Sequence, residues 1–168
     1  MKVLYVLRHA KSSRKDERLA DHERPLAGRG RKAAARMAEH VHAEGISPEL
    51  VLCSSAVRTR QTLERVLPAL GGHPAVRVED ELYGAGERAL LERVRRLPGS
   101  VGSAMLIGHN PGLEDLVLSV AGSGDRLADV RAKYPTGALA TLEWEGGWAD
   151  LAPGAAVLTG FVTPRELG

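Results

Sequence analysis

The chain has 168 residues, 43% hydrophobic and 26% charged, enough for one ordinary domain (1–168) with a sizeable core. A net charge of only +2 and an aromatic content of 4% argue against a general nucleic-acid binder. The single cysteine, Cys53, excludes an intrachain disulfide and a multi-thiolate zinc site.

The chain opens with Lys2 to Leu7, a short Val/Leu/Tyr-rich run without strict alternation, as expected of a strand buried on both faces. The run is too short for a signal-peptide core or a bilayer span, and with the lone thiol it points to a cytoplasmic protein outside any membrane. Lys11 to Pro25 reads as a long polar loop. Gly28 to Glu44 has the composition of a helix, stopped by Gly45. Leu50 to Cys53 is a second buried strand. Ser54 or Ser55 is expected to cap the next helix, Val57 to Leu70, which Gly71-Gly72 ends.

Val76 to Val78 predicts a short strand, followed by a loop over Asp80 to Gly86 and a helix from Glu87 to Leu97. Ala104 to Ile107 predicts a third buried strand leading into Gly108-His109. A helix from Leu113 to Ala121 is broken by Gly122 to Gly124. Ala138 to Glu143 and Ala155 to Val162 alternate enough to predict two antiparallel strands, with Trp144 and Trp148 flanking their turn. Strands alternating with helices predict an α/β fold, a three-layer α/β/α sandwich on a mostly parallel sheet.

Such sheets bind ligands beyond the carboxyl ends of their strands. The first strand ends in Arg8-His9, the second leads into Arg58, and the third ends in His109. Gathered at one edge, two guanidiniums and two imidazoles suit a phosphoryl group. Arginine gives bidentate hydrogen bonds to phosphate oxygens and keeps its charge. A neutral imidazole can attack phosphorus while another donates to its oxygens. The helix N-termini after Ser54 and Pro111 point to the same edge and favour an anion.

Four segments carry a family resemblance. Leu7-Arg8-His9-Ala10-Lys11-Ser12 resembles the Arg-His signature that opens the histidine phosphatase superfamily, with Ala where many members have Gly. Arg24 to Gly30 is similar to the segment leading into that family's first helix. Ser54-Ser55-Ala56-Val57-Arg58 with Gln61-Thr62 resembles its second signature, Ser55 standing where Pro is common. Gly108-His109-Asn110-Pro111-Gly112-Leu113-Glu114 resembles the third signature of the SixA-type phosphohistidine phosphatases.

The resemblance implies a phosphoglycerate-mutase-like fold and a phosphatase that forms a covalent phosphohistidine at His9 without metal or cofactor. It implies a phosphate pocket of Arg8, Arg58 and His109, with Ser12 and the backbone at Asn110 as further contacts. Many members add a carboxylate acid after the second helix. Asp80 and Glu81 occupy that region, Glu81 being the candidate, although SixA-type members tend to lack a clear acid there. Arg60 reads as surface or rim. His22 and His73 lie in expected loops, and His40 and His42 point to different faces of one helix, so none is expected to bind metal.

The substrate expected first is phosphohistidine on a protein. A small phosphorylated metabolite, taken as a phosphate ester, is the alternative within the family, and a non-catalytic phosphate-binding module the alternative outside it. Arg14, Lys15, Arg18 and Arg24 are expected to form a rim that attracts an acidic protein partner.

Overall fold

A computed structural model describes all 168 residues. In chain order the main elements are β1 (Lys2–Arg8), α1 (Gly28–Ala43), β2 (Leu50–Ser54), α2 (Val57–Val66), β3 (Ala75–Glu79) and α3 (Glu87–Arg95). Then come β4 (Ser103–Gly108), α4 (Gly112–Val120), β5 (Ala121–Ser123), α5 (Leu127–Ala132), β6 (Leu139–Trp144) and β7 (Ala156–Val162). The strands form one sheet in the order β3-β2-β4-β1-β6-β7-β5. β1 to β4 run parallel, β6 pairs antiparallel with β1 and β7, and β5 is parallel to β7. Only β6 therefore runs against the rest, and the expected mostly parallel three-layer sandwich is the observed fold.

The apolar runs of the central strands follow from burial on both faces. Leu4, Val6, Leu52, Ala104 and Leu106 face the core beneath α3, α4 and α5, where Leu90, Val94, Leu113, Val117 and Val130 pack. Leu7, Val51, Cys53, Met105 and Ile107 face the opposite way, against Met37 and Val41 of α1 and Leu63 and Val66 of α2. Each such side chain contributes about 2 kcal/mol by leaving water.

The structure departs from the sequence reading in four places. α2 stops at Val66, ahead of the expected Leu70, because Pro68 lacks an N–H; Leu67–Ala69 tighten into a 3₁₀ turn. Neither Ser54 nor Ser55 caps α2: Ala56 holds that position without a side-chain bond. The expected break at Gly122 to Gly124 contains the short strand β5, where Gly122 is needed for close approach. A Cβ there would lie 2.4 Å from the Gly154 carbonyl oxygen. α5 is new, too brief at six residues to leave a periodic pattern.

β1, β2 and β4 end at the same edge of the sheet, which brings Arg8-His9, Ser54 and His109 together from distant parts of the chain.

Candidate active site

His9 leaves β1 buried, and its Nδ1–H donates to the Ala10 carbonyl oxygen at 2.7 Å. A carbonyl can only accept, so the proton sits on Nδ1 and the lone pair is on Nε2. Burial, reinforced by the positive field of Arg58 and Arg8, lowers the His9 pKa to about 3. The ring is therefore a neutral nucleophile at ordinary pH. The loop after it is tied to α2: the Ala10 N–H donates to Thr62 Oγ1 (3.1 Å), and the Leu26 N–H donates to Gln61 Oε1 (2.8 Å). Gln61-Thr62, about fifty residues beyond the reacting ring in sequence, are thus the clamp on the His9 loop. Gly30 of α1 sits against the same loop, with no room for a Cβ, which would meet the Lys11 carbonyl oxygen at 2.0 Å.

At the end of β2, Ser54 Oγ hydrogen-bonds His109 Nε2 at 2.7 Å. The two imidazoles stand 5.3 Å apart, centre to centre. Burial first, then the charge of Arg58, lowers His109 to a pKa of about 4. Arg58, buried at the start of α2, donates to the Asp21 carbonyl oxygen (2.7 Å) and to Asp21 Oδ2 (3.0 Å). Asp21 Oδ2 also accepts from the Tyr83 hydroxyl (2.6 Å), and Oδ1 accepts from Arg24 (2.9 Å). The Tyr83 hydrogen bond, with those from Arg58 and Arg24, holds the Asp21 carboxyl well below the usual carboxylate range.

Arg8 Nη1 and the Asn110 side-chain amide both donate to the Tyr134 carbonyl (2.9 and 3.1 Å). Arg8 Nε and His109 Nδ1 are buried without any partner. Both residues line a cavity of about 240 Å³ whose walls include His9, Arg58 and Ser12 and contain no hydrophobic residue. Two orphaned nitrogens, two guanidiniums and an unprotonated imidazole nitrogen suit a tetrahedral oxyanion. No three His, Cys, Asp or Glu side chains converge to hold a metal ion.

The predicted Arg8, His9, Arg58 and His109 meet in this cavity, with Ser12 and Asn110 on its wall. Ser12 Oγ accepts from Arg24 (2.7 Å), and the Asn110 side chain is occupied by the Tyr134 carbonyl and the Glu114 N–H. Glu81 does not join them. Its carboxylate faces Arg96 (3.2 Å) and Arg93 (3.4 Å), outside the cavity lining, and Asp80 is exposed beside it. The expected basic rim divides: Arg14 and Arg24 line the cavity, Arg24 from within the Asp21 cluster, whereas Lys15 and Arg18 are outside the lining and Arg18 pairs with Asp16.

Sequence reading missed Asp21, Tyr83, Tyr134 and the role of Ser54. It also set aside His22, whose Nε2 meets Ser55 Oγ (2.9 Å) while its ring packs edge-on against Tyr83. Ser55, through His22, anchors the turn that presents Asp21. Arg60 is exposed, as expected, and donates to the Ser55 carbonyl.

The model of the histidine phosphatase superfamily (branch 1) matches residues 4–85. An uncharacterized protein of Mycobacterium tuberculosis is 37% identical over 95% of this chain and 100% of its own length. A candidate phosphohistidine phosphatase SixA from Nakamurella multipartitia is 31% identical with a TM-score of 0.83, aligned over 97% of this chain and 96% of its own. The chain belongs to the histidine phosphatase superfamily, in its SixA-type branch. A second candidate SixA, from Agrobacterium tumefaciens, is 30% identical with a TM-score of 0.82 over 97% of this chain and 98% of its own. Membership makes the protein a phosphatase. The family match ends before His109, but these SixA alignments extend over nearly the whole chain. No helix is long and apolar enough to cross a membrane.

Proposed function

We propose that the protein removes phosphoryl groups from phosphohistidine on a protein, through a covalent phosphohistidine at His9 and without a metal. The observation that carries this reading is the Nδ1–H bond of His9 to the Ala10 carbonyl, which leaves Nε2 unprotonated in a residue that shares one cavity with Arg8 and His109, whose Nε and Nδ1 have no partner.

In the first step His9 Nε2 forms a bond to phosphorus as the bond to the carrier's ring nitrogen breaks. A carrier protonated on its other nitrogen leaves as neutral imidazole, so no enzymic acid is required. Arg8, Arg58 and His109 stabilise the oxygens of the transferring group, and Ser12 and the backbone at Asn110 border it. In the second step water adds to phosphorus, its two protons staying with the released dihydrogen phosphate. The electrons of the broken P–N bond return to Nε2, and Nδ1 keeps its proton throughout.

A phosphate ester would leave as an alkoxide and call for a protonated acid. The one carboxylate on the cavity wall, Asp21, is held ionised by Tyr83, Arg58 and Arg24, which favours the phosphoramidate.

The test is phosphate release in excess EDTA from a phosphohistidine protein, p-nitrophenyl phosphate and 3-phosphoglycerate, with His9→Ala as control. Preference for the phosphohistidine, lost in the variant, is expected, together with an acid-labile radiolabelled enzyme. Preference for an ester, or undiminished activity of His9→Ala, would overturn the reading.

A further inference from the structure

Next to the catalytic cavity lies a second, larger groove of about 970 Å³. Its walls are α1, the end of α5 with the loop beyond it, and the turn that follows β7. Lys11 and Thr136 line both depressions, so the groove adjoins the space in front of His9.

Lys11, Arg29, Lys32, Arg36, Lys133 and Arg165 bring six exposed cations to this groove. None of the six has an acidic partner within 4.0 Å anywhere in the protein. The two acidic side chains that line it, Asp129 and Glu166, are both taken by Arg126. Arg29, Lys32 and Arg36 follow one another at spacings of three and four, so they form a single stripe along α1. Like charges gathered without counter-charge repel one another, and the repulsion is relieved when an opposite charge arrives.

The catalytic cavity has no apolar wall against which a protein carrier could pack, so affinity for such a carrier has to come from outside it. We infer that the basic groove docks an acidic face of the phosphorylated protein whose phosphohistidine enters the His9 cavity. This rests on the reading of His9 as acting on phosphohistidine.

A small ligand fits the groove less well. Small-molecule sites are mostly apolar with a few fixed polar groups, whereas only 3 of the 17 residues here are hydrophobic and the cations stand on long exposed side chains. A nucleic-acid strand finds no stacking platform, since the one aromatic ring lining the groove, Phe161, is buried. Exposed lysines and arginines around a reaction site suit an acidic protein surface, whose approach they accelerate and orient.

Two phosphohistidine peptides, one flanked by glutamates and one by lysines, are compared with free phosphohistidine at low salt. The combined charge reversal Arg29→Glu, Lys32→Glu, Arg36→Glu should lower kcat/KM for the glutamate-flanked peptide by about tenfold or more. Free phosphohistidine should be processed as before. Raising salt on the unmodified protein should weaken the acidic peptide alone, a check that needs no variant.

Fluorescent decaglutamate should bind the unmodified protein and not the variant, a measurement independent of turnover. No turnover of any phosphohistidine with decaglutamate binding intact would sink the substrate assignment while supporting the docking surface. An equal loss on all three substrates, an absence of decaglutamate binding, or tighter binding of an oligonucleotide or tripolyphosphate would overturn the docking surface.

Discussion

Ser54 Oγ and His109 Nε2 are joined by a 2.7 Å hydrogen bond that ties the end of β2 to the residue after β4. With Nε2 engaged by the serine hydroxyl, Nδ1 is the ring nitrogen that has no protein partner. Ser54→Ala releases the ring. We expect kcat to fall by about tenfold with KM little changed, as for loss of one oriented donor. Steady-state kinetics on a phosphohistidine peptide would check this, and an unchanged kcat would mean that the bond does not orient His109.

The second prediction concerns protons. His9 is held at about 3, below its ordinary 6.5, so it should show no titration by imidazole NMR between about pH 8 and about pH 5. The unfolded chain takes up that proton near 6.5 and the folded protein does not, so the stability contribution is lost as pH falls from 6.5 toward 3. His9→Gln removes this slope. Denaturant midpoints should show the variant gaining about 2 kcal/mol on the unmodified protein between about pH 7 and about pH 5.

Asp21 and Glu81 separate two views of the carboxylates. Asp21→Asn keeps the shape but withdraws the charge that aligns Arg58 and Arg24. Its kcat/KM should drop by about tenfold or more. Glu81→Gln, outside the cavity, should stay within about twofold, since an exposed ion pair contributes little. A larger loss at Glu81 than at Asp21, on either an ester or a phosphohistidine, would reverse the assignment.

Gly30→Ala tests the seat of α1. Its Cβ would press on the Lys11 carbonyl, a backbone atom that cannot swing aside. A stability loss of about 1–3 kcal/mol is expected, with a fall in kcat because the displaced loop begins at His9. Thermal melting and turnover measured together would show it. An unperturbed melting temperature would mean that the loop yields freely.

Arg8, His9, Arg58 and His109 were legible because each sits where a buried strand ends or a helix begins, positions that apolar patterning locates well. Asp21 was hidden because its place depends on Arg24, Arg58 and Tyr83, and only Arg24 is near it in sequence. Glu81 misled for a related reason. Counting residues after α2 finds the right segment but not its direction. The 3₁₀ turn Asp80–Leu82 buries Leu82, which leaves Glu81 toward α3 and lets Tyr83 reach Asp21. The basic groove escaped because its cations come from four separate stretches, Lys11, α1, Lys133 and Arg165, which only the fold brings together, while the run near the N-terminus drew attention to Arg18 and Arg24, both already paired.

β1 lies between β4 and β6, paired in register with Ser103 to Gly108 on one side and Leu139 to Trp144 on the other. During synthesis this apolar strand leaves the ribosome roughly a hundred residues before its first neighbour, a delay of about 5–20 s at ordinary elongation rates. It cannot pair with its native strand neighbours in that interval, so the nascent chain presents an unpaired apolar strand that chaperones would recognise. His9 gains its surroundings only when β4 docks, and a chain arrested before that point would be both aggregation-prone and inactive.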